Sequence, residues 1–306
     1  MVIKMKSNFL EVMNKQLIGL DNQLEISGDA KHNIFIIGAP RSGTTLLSQL
    51  FSGCTNAGYP NNLMSSFWNA PITGALLSTR WTEDKIFTGN SNFGQTSDYR
   101  EPHEFGAFWR SNLLMNGMEQ PDDILTESIK WNHLANTLKD ISRVFSVPVV
   151  YKAFHLAWFI REISKALPDS KWIWITRNTV DNARSLLDLR RHMHNDINKW
   201  ASSKPIGIEK YFVKNPYLEV VAQVELINQW IDSQLKTVNK DNWLSLSLES
   251  LVANPIDTFE KVSTWSGVKA VDENIKLAAK NIQPEKFEND LEYQKVKGAY
   301  ESFLKI

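Results

Sequence analysis

Cysteine is nearly missing from this chain. Its 306 residues contain one, Cys54, which excludes an internal disulfide framework and a cluster of cysteine metal ligands. Long apolar runs are missing too. No stretch approaches the roughly 20 residues a membrane-spanning helix needs. The opening Met1-Val2-Ile3-Lys4-Met5-Lys6-Ser7 has neither the apolar stretch nor the small-residue cleavage site of a secretory leader. A soluble, reducing, cytoplasmic setting is the expectation. Charge of one sign is also absent: 34 basic residues balance 34 acidic ones. That balance argues against a global clamp on nucleic acid or an acidic membrane, while leaving room for a local cationic pocket.

What is present is enough hydrophobic surface, 42% of the residues, for a sizeable core. No internal repeat or low-complexity linker divides the chain, and one domain over 1–306 is expected. Residues 1–30 read as an N-terminal helix or arm. Asn33–Ile37 is an apolar, β-branched run ending at Gly38, the pattern of a strand buried on both faces. A helix over Thr44–Phe51 follows. Mixed signals from about 58 to 132 suggest an elaborated insertion over a sheet. Further strands are predicted at Val147–Tyr151, Lys171–Thr176 and Trp243–Leu248. Helices are predicted over His155–Leu167, Val180–Arg191, Tyr217 to about Val238, and from Pro255. Such alternation implies an α/β fold, a central parallel sheet flanked by helices, with ligands at the carboxyl ends of the strands.

Two segments at those ends carry chemistry. Gly38-Ala39-Pro40-Arg41-Ser42-Gly43-Thr44-Thr45 has the spacing of a phosphate loop between strand and helix. Glycines let the backbone curl, and the helix start adds free N–H groups and its positive dipole end. Thr44 stands where a nucleotide-triphosphate enzyme has lysine, and the cation has moved to Arg41. The strands ending at Tyr151, Thr176 and Leu248 also lack a terminal carboxylate for Mg²⁺. An anion gripped without metal suits sulfonate transfer better than transfer of a γ-phosphoryl group. The second segment is Arg177-Asn178-Thr179-Val180-Asp181-Asn182-Ala183-Arg184-Ser185. Its arginine at a strand tip and its serine two helical turns on can close on one phosphate from two sides. Asn178 is the candidate helix cap.

Together these segments resemble the 5′-phosphosulfate loop and the 3′-phosphate motif of sulfotransferases that use 3′-phosphoadenosine 5′-phosphosulfate (PAPS). Leu248-Glu249-Ser250-Leu251-Val252-Ala253-Asn254-Pro255 is similar to a third, Tyr-Glu-Asp-Leu…Pro segment of that family. The resemblance implies a P-loop-like fold, PAPS as donor, adenosine 3′,5′-bisphosphate as product, no metal, and transfer to a hydroxyl or amine. It places Pro40, Arg41, Ser42, Gly43, Thr44 and Thr45 around the 5′ end, with Arg41 on the sulfonate. Arg177 and Ser185 fall on the 3′-phosphate, and Lys152 stabilises charge in the transition state. Three residues compete as the base. Glu101, placed first, and Glu104, third, lie in Glu101-Pro102-His103-Glu104-Phe105, which resembles the Glu-Pro-His-Phe-Phe run of glycosaminoglycan sulfotransferases. His155, second, lies three residues after Lys152; cytosolic sulfotransferases space that pair by two. The acceptor is a small molecule or carbohydrate, with the insertion forming much of its cleft. Rival readings are a phosphotransferase with a degenerate loop and a non-catalytic module that binds an adenosine bisphosphate. His192 and His194 read as a solvated helix end, and Cys54 as a core thiol.

Overall fold

A computed structural model describes residues 8–81, 96, 98–212, 215–282, 287 and 290–305. Four strands, β1 (Asn33–Ile37), β2 (Val149–Lys152), β3 (Lys171–Thr176) and β4 (Trp243–Ser247), form one parallel sheet in the order β2-β1-β3-β4. Every residue of β1 is buried, because side chains alternate between two covered faces. Phe35 and Ile37 join one apolar layer with the helices Trp131–Phe145, Thr179–His194 and Pro216–Leu235. Ile34 and Ile36 join the other, with the helices Thr44–Cys54 and Pro255–Ser266. This is the fold expected: a parallel sheet between helices, P-loop-like in its central strand–loop–helix unit.

Element ends shift for local reasons. β2 starts at Val149 and takes in Lys152, so that lysine is the last strand residue, paired with Ile36 of β1. β4 stops at Ser247, whose hydroxyl accepts the Ser250 N–H at 3.1 Å and caps the helix Leu248–Ala253. Asn215 caps the long helix at Pro216 in the same way. The expected helix over His155–Leu167 is two pieces, a 3₁₀ turn at Phe154–Trp158 and an α-helix at Ile160–Ala166. Trp230 Nε1 donates to the Ala157 carbonyl at 3.0 Å, taking the acceptor a continuous helix would offer to residue 161.

The N-terminal segment contains the helix Phe9–Gln16 and docks on the insertion. Asn14 Nδ2 donates to the Ser66 carbonyl at 2.8 Å, and Asp21 accepts from Ile72 and Thr73. The insertion itself carries the helices Asn62–Ser65, Pro71–Trp81, Gly106–Asn112 and Asp123–Ser128; its stretch 82–95 and residue 97 lie outside the described residues. Its Met64, Phe105, Phe108 and Trp109 share a core with Phe35 and Tyr151 of the sheet. Cys54 is fully buried, and burial pushes its thiol up to about 12. No helix among the described residues is long and apolar enough to cross a membrane.

Candidate active site

The loop after β1 is shaped by two glycines with different tasks. A Cβ on Gly38 would lie 2.4 Å from the Ile175 carbonyl oxygen and 2.5 Å from Ser42 Oγ. Gly43 sits at φ +100°, and a Cβ there would meet Leu248 Cδ1 at 2.7 Å. Only glycine fits the second position on both counts. Arg41, between them, is a non-glycine residue at φ +71°. Such a conformation costs on the order of 1 kcal/mol and persists where the surroundings over-determine it.

Those surroundings come from the second motif. Arg177 Nη1 donates to the Arg41 carbonyl at 3.2 Å, and Asn182 Nδ2 donates to the Pro40 carbonyl at 2.5 Å. Arg41 Nε in turn donates to Ser185 Oγ at 3.0 Å. The loop's carbonyls are thus drawn toward β3 and its helix. The helix Thr44–Cys54 starts without a side-chain cap, and the first N–H groups of any helix lack intrahelical partners. Ser42 Oγ is buried with no hydrogen-bond partner among the described residues, an orphaned donor inside the loop. The third motif braces the second: Glu249 Oε1 accepts the Asn178 N–H at 2.7 Å. Asn178 Oδ1 caps its helix through Val180 and Asp181. Phe287 covers this end, 5.7 Å from Arg177 and 5.3 Å from Arg184.

On the opposite side of the loop stands β2. Lys152 at its tip is buried and ion-paired with Glu104, and its ammonium lies 5.0 Å from the Phe154 ring. Burying an ammonium is costly unless a charge pairs with it. Glu104 is held there by Phe105, buried at φ +55°, stacked on Phe108 at 4.5 Å. Trp109, from the same short helix, packs on Tyr151 of β2. Loop 38–45 therefore lies between an arginine–serine pair at β3 and a lysine–glutamate pair at β2.

A cleft of about 460 Å³ opens beside Glu104. Glu104 lines it; Glu101, Lys152 and His155 do not. Glu101 is buried, and its Oε2 accepts the Asp98 N–H at 3.0 Å within its own turn. His155 is buried, its charged form disfavoured first by desolvation and then by Arg110, with Glu104 and the Gly117 carbonyl opposing. His103, on the cleft, accepts the Phe105 N–H on Nδ1 at 2.8 Å. Its neutral ring therefore carries the proton on Nε2. Burial lowers its pKa, Lys152 acts in the same direction, and Glu104 opposes both.

Sequence reasoning missed the far wall of this cleft. Ser202 lines it at φ +67°, with its Oγ buried and without a partner. Its neighbours pin it: Gln223 Nε2 donates to the Ala201 and Ser203 carbonyls at 2.9 and 2.8 Å, and Trp200 Nε1 to the Ser202 carbonyl at 3.0 Å. Fully buried Arg190 pairs with Glu219 and stacks 5.0 Å from Trp200. Nothing in the local sequence around Ser202 signals this, since Gln223, which clamps both its neighbours, comes from the helix Pro216–Leu235. Asn182, inside the quoted motif, was readable only as a helical residue.

The sequence profile of the sulfotransferase family matches residues 33–273, which takes in all four strands and all three motifs. The chain belongs to the sulfotransferase family. Two solved structures share the fold of this sulfotransferase. One is sulfotransferase STF9 from Mycobacterium avium, with TM-score 0.57 and 11% identity, covering 97% of this chain and 80% of that one. The other is sulfotransferase STF1 from Mycobacterium tuberculosis, with TM-score 0.52 and 13% identity, covering 97% and 82%. No curated protein sequence matches it. At such identities the likeness speaks to fold alone. Among the described residues of this sulfotransferase no three His, Cys, Asp or Glu side chains gather as a metal site.

Proposed function

We propose that this sulfotransferase moves the sulfonate group of PAPS to a hydroxyl, or an amine, of a small acceptor held in the cleft beside Glu104. One observation carries the reading. The two anion-binding motifs, 136 residues apart at Arg41 and Arg177, are tied together by hydrogen bonds at adjacent strand tips. The orphaned Ser42 hydroxyl and the uncapped helix start fit a phosphate at the 5′ end. Arg177 and Ser185 fit the 3′-phosphate, with Phe287 as an apolar cover. Bound there, PAPS would supply an electrophilic sulfur and a phosphate leaving group.

The chain's own residues then divide the work. The Glu104 carboxylate, the one candidate base that lines the cleft, takes the acceptor's proton. Lys152, released from that carboxylate as it is protonated, offers its ammonium to charge gathering on the leaving oxygen. Arg41 Nε donates to Ser185 Oγ, and a sulfonate contact requires its guanidinium to turn from that serine toward β2. Glu101 holds the turn before the cleft, and His155 acts as a neutral buried neighbour. The carbohydrate acceptor that 101–105 suggest would meet only Asn62, Thr96 and the His103 Nε2–H along the polar edge. The buried thiol of Cys54 agrees with a cytoplasmic setting.

Thermal shift with adenosine 3′,5′-bisphosphate in EDTA, set against ATP with Mg²⁺, tests the donor. Stabilisation by the bisphosphate alone is expected. Stabilisation by ATP alone and only with Mg²⁺ would favour the degenerate phosphotransferase. Bisphosphate binding without turnover of labelled PAPS on any acceptor would leave a binding module.

A further inference from the structure

The cleft beside Glu104 is lined by two kinds of residue. Some are polar, among them Arg110 of the helix Gly106–Asn112. Others are hydrocarbon: Phe154, Leu189, Met193 and Met118. Among the described residues Arg110 has no carboxylate or hydrogen-bond partner for its guanidinium. Its situation differs from that of Arg100, Arg143, Arg161, Arg184, Arg190 and Arg191, each held by an acidic side chain. Arg110 is exposed at the cleft, where solvent meets its guanidinium, and such a fork is open to a ligand's anion. The lining offers no tryptophan or tyrosine face for a sugar ring. Two of its four apolar residues are methionines, which adapt to irregular apolar chains. Met193 lines the cleft and is 55% exposed, so its side chain is open to an apolar ligand.

Arg110 and Glu104 line the same cleft of about 460 Å³, so a group on Arg110 and a hydroxyl at Glu104 can belong to one molecule. The rigid loop carrying Ser202, clamped by Gln223 and Trp200, limits how far the apolar lining can withdraw.

We propose that the acceptor is an amphipathic alcohol bearing an anionic group, with its anion on Arg110, its hydrocarbon against Phe154, Leu189 and Met193, and its hydroxyl at Glu104. The inference rests on the sulfonate-transfer reading above. The acceptor oxygen forms a bond to sulfur and its proton passes to Glu104. The bond from sulfur to the 5′-phosphate oxygen breaks, and adenosine 3′,5′-bisphosphate leaves with the electron pair. A sulfate ester with a second negative charge is the product.

Matched probes test this: 8-hydroxyoctanoate, 1-octanol and glucose, each with labelled PAPS, and each titrated into bisphosphate-loaded protein by calorimetry. The hydroxy acid should bind and react at least ten-fold better in kcat/KM than octanol, with glucose poorest. Arg110→Gln should erase the preference, chiefly through KM, while Arg110→Lys retains part of it. Thermal shift with the bisphosphate should be unchanged in both variants. Equal use of octanol and hydroxy acid, a preference that survives Arg110→Gln, or glucose as the best acceptor would overturn the proposal. So would failure of the hydroxy acid both to bind and to react in a protein that binds the bisphosphate. Should the bisphosphate itself fail to bind, the donor reading falls instead, and loss of hydroxyoctanoate binding in Arg110→Gln still decides the anion site.

Discussion

Replacing Gly38 by alanine isolates the geometry on which the donor loop depends. The added Cβ would sit 2.4 Å from the Ile175 carbonyl oxygen and 2.5 Å from Ser42 Oγ. Unbonded carbon and oxygen do not approach so closely, so each neighbour must retreat by at least about half an ångström. Ser42 can turn. The Ile175 carbonyl cannot, since β3 is paired on both sides, with β1 through Trp174 and with β4 through Leu246. Overpacking of this kind costs about 1–3 kcal/mol. For 306 residues at about 2.1 cal/mol/K each, the unfolding entropy is about 0.6 kcal/mol/K, so about 2 kcal/mol lowers Tm by about 3 °C. On the proposed donor reading binding should suffer more than folding, because the displaced loop carries the N–H groups assigned to the 5′-phosphate. We expect a loss of adenosine 3′,5′-bisphosphate affinity of at least about ten-fold, or about 1.4 kcal/mol. Calorimetric scanning and titration read the two quantities. Gly28→Ala is the control: its φ is +99° with nothing within 4 Å, so about 1 kcal/mol of backbone strain is expected with no change in binding. If Gly38→Ala matches wild type in both Tm and affinity, the cradle as described is not the binding surface.

Three more outcomes follow from named contacts. Arg177→Ala removes the fork proposed for the 3′-phosphate and one support of Arg41. The bisphosphate Kd should rise about ten- to hundred-fold, from about 1.5–3 kcal/mol for hydrogen bonds to a charged group, and an unchanged Kd would remove Arg177 from the site. Glu104→Gln should lower kcat about 10²- to 10⁴-fold with bisphosphate affinity retained; full activity there, with Glu101→Gln inactive, would reinstate Glu101 as base. His32, His103 and His155 all have pKa values lowered first by desolvation. Below their ordinary value of about 6.5 the unfolded chain binds more protons than the folded one, so stability falls as pH drops through that region and is level above it. Tm measured from pH 8 to pH 5 should show this, and His155→Gln should flatten the slope. A Tm that rises on acidification over that range would contradict the burial of neutral imidazoles.

Much of the fold was legible because its signals are local. Asn33–Ile37 alternates between two buried faces, which any apolar, β-branched run of that length before a glycine suggests. The loop was readable because positions 38 and 43 need glycine for reasons of space and φ. The Arg177–Ser185 spacing is fixed by helical rise. The carboxylate proposed as base was not legible in this way. Glu101 and Glu104 are three positions apart in a stretch that sequence alone cannot orient. The left-handed turn at Phe105 and its stacking on Phe108 put Glu104 at Lys152 and leave Glu101 in the Asp98 turn. The helix expected from His155 broke because Trp230, some seventy residues on, claimed the Ala157 carbonyl.

Sequence by itself thus determined the strand–loop–helix unit and the family, and singled out residues 38–45 and 177–185 as the stretches to test for anion binding. Those properties follow from backbone conformation and spacing within a few residues. Only the tertiary structure decided which side of the loop faces the arginine–serine pair and which faces Lys152. It also decided which carboxylate reaches the cleft and that Arg110 and Ser202 line it. Strand order and long-range packing set these, and both depend on contacts between residues far apart in the chain.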